Sequence, residues 1–206
     1  METIAQINLV EQKEVFFRIA GEDFSQLLEL LFRRHPVEEW GTFFHFGYRI
    51  TDDLITVCFT KSLEPRGSDL DVNNPYVAFS PEYISQSLDS LESTSLGLGV
   101  IHSHPLGDIY DSSVSPSLSD DDMDIYFGEN LLSDYTSGSP YISLIVNKDS
   151  EGGFIFSGRL YFDGAWMPVT DFKVSGESIK HYKNNLLEDI KGCSNHGSDF
   201  LYRALL

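Results

Sequence analysis

Cysteine and positive charge are both scarce in this chain. Its 206 residues include two cysteines, Cys58 and Cys193, too few for a disulfide-dense scaffold and in no CxxC arrangement. A cysteine-rich zinc site is excluded, so any metal must be held by His, Asp or Glu. Lys and Arg total 14 against 32 Asp and Glu, a formal charge of −18. Sequence-independent binding to nucleic acid needs cations that displace counterions from phosphates, and is excluded. An anionic membrane surface would repel the chain for the same reason. Apolar runs are only a few residues long, too short to span a bilayer. The first fourteen residues hold Glu2, Glu11 and Glu14 and no long apolar stretch, unlike a signal peptide. A cytoplasmic protein is expected. With 41% hydrophobic and 13% aromatic residues the chain is no disordered acidic tail. It reads as one globular domain with a proper core.

Pattern along the chain sets the elements. Lys13–Gly21 is rich in Val, Phe and Ile and reads as a first strand. A helix follows, with Asp23 as cap and Phe24, Leu27, Leu28, Leu31 and Phe32 on one face. Pro36 stops it. Glu39–Ile50 and Leu54–Ser62, joined by Thr51-Asp52-Asp53, read as a hairpin. Leu63–Tyr76 is expected to be a surface loop. Ser80-Pro81 opens a second helix with Ile84, Leu88 and Leu91 inward. Leu96–Ile101 is a short strand whose glycines imply close approach by other backbone. A third helix runs to about Leu132, with Met123, Tyr126, Phe127 and Leu131 inward. Three β-rich runs follow: Tyr141–Asn147, Gly153–Phe162 and Trp166–Val174. Strands flanked by helices without regular βαβ alternation predict an α+β sandwich, a mixed β-sheet with helices on it. Residues 1–175 form the predicted domain. Residues 176–206 form a C-terminal extension that packs on it or leads to a further region.

Chemistry concentrates at His102-Ser103-His104-Pro105. Two histidines at i and i+2 at a strand end place both imidazoles on one side of an extended chain, within reach of one ion. A third ligand must come from elsewhere, and Asp120-Asp121-Asp122 is the nearest supply. Taken alone, HxH also fits two exposed histidines at a strand end.

The order Glu38, then His102-x-His104-Pro105, then Ser117-x-x-Asp120 resembles the signature of the JAMM, or MPN-type, zinc metalloproteases. Pro36-Val37-Glu38-Glu39-Trp40-Gly41 is similar to the family's P-x-E-x-x-G. The resemblance covers about residues 13–165. It implies a cytidine-deaminase-like, MPN-type fold and Zn²⁺ held by His102, His104 and Asp120. It also implies Glu38 as general base and Ser117 as donor to the oxyanion. The interval from Pro105 to Ser117 is longer than the compact family spacing and resembles looser bacterial variants. A second register, Ser119-x-x-Asp122, stays open.

The activity so implied is zinc-dependent cleavage of peptide or isopeptide bonds after a ubiquitin-like protein, with that protein or its conjugates as partner. Its extended C-terminus, ending in small residues, would add as a strand beside the site. Two rival readings are a non-catalytic MPN-type scaffold and a zinc hydrolase of small amides. Read without the family pattern, Glu38 merely begins a strand and Ser117 merely caps a helix. Asp121, Asp122 and Asp124 read as solvated first-turn acids. His45 reads as a packed or surface imidazole, and Cys58 as a packed thiol.

Overall fold

A computed structural model describes residues 13–33, 39–70, 78–91, 96–104, 118–131, 139–148 and 153–176. The elements in chain order are β1 (Glu14–Ala20), α1 (Gly21–Leu31), β2 (Trp40–Ile50), β3 (Leu54–Leu63), α2 (Pro81–Asp89) and β4 (Gly97–Ser103). Then come α3 (Leu118–Asp124), which continues as a π-helical segment, Ile125–Leu131, and β5 (Tyr141–Lys148), β6 (Phe154–Phe162) and β7 (Ala165–Ser175).

The strands form a closed barrel in the order β1-β3-β2-β4-β5-β6-β7. β1 closes it by pairing in parallel with both β3 and β7. This corrects the predicted α+β sandwich of MPN type. The β1–β7 pairing joins segments about 150 residues apart, Phe16 opposite Asp171 and Phe17 opposite Phe172, and no local pattern announces it. Among the described residues helices are few and short, and none is long and apolar enough to cross a membrane. The predicted extension falls almost wholly on residues 177–206, outside the described residues.

Side-chain alternation sorts the sheet into two faces. Every strand sends residues into one cluster, including Phe17, Phe44, Ile55, Ile101, Leu144, Leu160 and Phe172. Leu27, Leu28 and Leu31 of α1 join this cluster. The opposite face of β2, β4 and β5 contributes Phe43, Leu98, Val100 and Tyr141, covered by Tyr83 and Leu88 of α2 and by Phe127. Each fully buried Phe or Leu contributes ~1.5–3 kcal/mol relative to exposure.

Local chemistry explains several boundaries. Ser80 caps α2, its Oγ accepting from the Tyr83 amide at 3.2 Å, and Pro81 takes the first helical position. The α1 stripe is as predicted, but Ala20, not Asp23, precedes the helix, and no side chain caps it. Asp163-Gly164, both at positive φ (53° and 76°), makes the two-residue turn between β6 and β7. The β4 glycines admit aromatic rings rather than backbone. A Cβ on Gly97 would meet the Phe46 ring at 2.3 Å, and one on Gly99 the Phe44 ring at 2.3 Å. The surface loop after β3 is anchored at Leu70, which is buried and bridges to Phe79.

Candidate metal centre

His102 is the sixth residue of β4 and shares a face with Leu98 and Val100. That face looks outward from the barrel, toward the helices that cover it. Ser103 points the other way. Its Oγ donates to the Leu31 carbonyl at 3.0 Å, at the C-terminal end of α1, and lies 3.4 Å from the Trp40 carbonyl and amide. The strand end is thus tied to α1 and β2 between the two histidines. His104 follows just beyond the strand. Asp120 comes from α3 and is buried, at 7% exposure, against His102 at 1%.

The three side chains converge. His102 Nε2 lies 3.0 Å from Asp120 Oδ1, and His104 Nε2 lies 3.5 Å from Asp120 Oδ2. The two Nε2 atoms are 3.3 Å apart. A tetrahedral ion with bonds of ~2.0–2.1 Å sets neighbouring donor atoms about 3.3 Å from one another. The donor set and its spacing therefore fit, and the group could hold a metal ion. An Nε2 ligand carries its proton on Nδ1. The His102 Nδ1 is buried and has no hydrogen-bond partner among the described residues.

Asp122 is exposed, so the register brought to the histidines is that of Asp120. Glu38 and Ser117 lie outside the described residues. Glu39, one residue on, lines an open cleft with His102 and Asp120. This cleft of about 350 Å³ is walled by Phe79, Ile84, Met123 and Phe127. Tyr126 is at its margin and is 49% exposed, which corrects its predicted inward placement. The buried stripe runs through Asp120, Asp124, Phe127 and Gly128, three to four residues apart, which leaves Tyr126 off it. Gly128 sits where a Cβ would meet Trp166 at 3.0 Å and Tyr141 at 3.1 Å.

Asp124 is the second correction. It is 2% exposed rather than solvated, and it pairs with the Arg159 Nε. The Tyr141 hydroxyl donates to it at 3.3 Å. Arg159 also reaches Asp121 at 2.6 Å. Burial raises the Asp124 pKa, while Arg159, a Ser143 hydrogen bond and His102 oppose the rise. Burial also pushes the Tyr141 phenol well above its ordinary value, and Asp124 adds to the shift. At Arg159 burial works against the charge, but the two carboxylates outweigh it and its pKa is raised. A cavity of about 30 Å³ is lined by Asp120 together with Asp124, Ser143 and Arg159 of this network. No sequence spacing singled out Arg159. Its only signal is the strand alternation that puts it on the outer face with Tyr161.

His45 stands apart from the cluster. It is buried, its Nε2 lies 2.8 Å from Ser90 Oγ, and burial lowers its pKa, with Lys61 adding. Cys58 is a buried free thiol whose pKa burial raises, an unsuitable nucleophile.

No family model and no curated protein matches the chain. Among solved structures, it is similar to the solution structure of protein DSY2949 from Desulfitobacterium hafniense. The identity is 14% and the TM-score 0.49, over 81% of this chain and 97% of that one.

Proposed function

We propose that the chain is a zinc-dependent peptidase of JAMM type that cleaves after the C-terminus of a ubiquitin-like protein. The observation supporting this is the His102–His104–Asp120 cluster, with donor atoms 3.0–3.5 Å apart beside an open cleft. Two imidazole nitrogens and one carboxylate suit Zn²⁺ and leave a fourth position open. A bound zinc ion supplies Lewis acidity, activating water near neutral pH and polarising a carbonyl. Glu38 takes the proton from the attacking water and passes it to the leaving amine. Ser117 donates a hydrogen bond to the oxyanion that forms on the scissile carbonyl.

Strand addition has a short edge beside the site: Trp40–Thr42 of β2 pair with β4 but not with β3, whose pairing to β2 begins with Phe43 opposite Leu63. The extended tail also meets the cleft between α2 and the π-helical segment, which borders the ligand cluster. Small terminal residues let its scissile carbonyl approach the ligand cluster. Phosphoester hydrolysis is a weaker reading, because Arg159, a basic group close to the cluster, is already paired with Asp121 and Asp124.

The test is a ubiquitin-like protein fused through its C-terminus to a reporter. Cleavage that o-phenanthroline abolishes is expected, with Leu at the penultimate position blocking it. Equal cleavage of an unstructured peptide with the same last residues would make the enzyme a general peptidase. No cleavage of either would favour the scaffold reading.

A further inference from the structure

We infer that Arg159 is a positioning residue for the metal ligand Asp120, acting through a clamp on α3. This rests on the metal-centre reading of His102, His104 and Asp120, not on the identity of the substrate. Asp120 is carried by a helix of only seven residues, too short to hold its own geometry. Its histidine partners come from β4 and the residue just after it, so their spacing to Asp120 depends on how α3 is held against the barrel.

The two halves of that helical stretch are held differently. The π-helical half is packed by Phe127 against Phe43 and Tyr141, and Trp166 Nε1 donates to Glu129 at 2.8 Å. The α3 half has a polar anchor. Arg159 of β6 reaches both Asp124 and Asp121, and Tyr141 of β5 reaches Asp124. Asp124 lies one helical turn after Asp120, so the two share a face. A guanidinium bound to two carboxylates of one helix sets both its distance from the strand and its rotation. Rotation decides whether Asp120 or a neighbouring aspartate faces His102 and His104. Outer partners that orient metal ligands typically alter affinity 10–100-fold when removed, and Arg159 does so through the helix that carries Asp120 rather than by touching it.

The experiment measures the zinc Kd of the folded full chain by chelator competition, well below its Tm. Arg159→Met is expected to weaken binding about 10–100-fold. Arg159→Lys, a point charge without the fork, should recover part of the loss. Asp121→Asn removes the more exposed pair and should change Kd less than Arg159→Met. A cycle with Asp120→Ala separates positioning from general destabilisation. If Arg159 acts only through Asp120, Arg159→Met costs no further affinity once Asp120 is gone.

Unchanged zinc affinity in a folded Arg159→Met protein would overturn the clamp. So would losses that simply add in the double variant. If Arg159→Met fails to fold, the Arg159→Lys and Asp121→Asn pair decides, since equal Kd values for wild type and Arg159→Lys would also contradict it. A wild-type chain that takes up no zinc would instead overturn the metal-centre reading beneath it.

Discussion

The Nε2 of His102 lies 3.0 Å from Oδ1 of Asp120, across an interval that leaves one strand and enters a separate helix. Neither residue is exposed enough for solvent to make this contact cheap to break. Converging nitrogen and oxygen lone pairs in a buried place need a cation or shared protons between them. The spacing of all three donor atoms suits an ion.

Binding and turnover should separate at Glu38. Glu38→Gln removes a base and no ligand, so zinc content should match wild type while turnover falls ~10²–10⁴-fold. Metal analysis beside a cleavage assay reads both. Loss of zinc together with activity would make Glu38 a ligand or a structural residue.

The β4 glycines should tolerate no side chain. A Cβ on Gly99 would sit 2.3 Å from the Phe44 ring and 2.7 Å from Ile142 Cγ2, both fully buried. Gly99→Ala should therefore destabilise by ~1–3 kcal/mol in urea melts, as overpacked cores do. An unchanged midpoint would mean that the two side chains move aside freely.

Acid sensitivity should run partly through His45. Burial, then Lys61, lowers its pKa below the ordinary 6.5. The unfolded chain binds a proton there at a pH where the folded chain does not. This contribution is full above pH 6.5 and is lost as pH falls through the folded-state pKa. His45→Gln removes the titration, so stability should fall less steeply below pH 6.5 than in wild type. Equal slopes would assign the sensitivity to other groups.

Features with a local cause were legible in the sequence. Ser80-Pro81 declares α2, the α1 stripe follows helical spacing, and Thr51–Asp53 turns β2 into β3. The pairing of His102 and His104 with an aspartate near residue 120 was also legible, because order and spacing carry it. Barrel closure was not, since β1 meets β7 only through tertiary packing. The inward turn of Asp124 and the outward turn of Tyr126 were hidden too. The buried face runs through Asp120, Asp124, Phe127 and Gly128, and the partner that keeps a charged Asp124 inward, Arg159, lies on a distant strand that local periodicity does not reveal.

Zinc content of protein purified without added metal tests the centre most directly. About one Zn²⁺ per chain is expected in wild type and in Asp122→Ala, with little left in His102→Ala or Asp120→Ala. A wild-type chain without zinc would contradict the centre. Wild-type zinc content in Asp120→Ala, with loss in Asp122→Ala, would move the third ligand to Asp122.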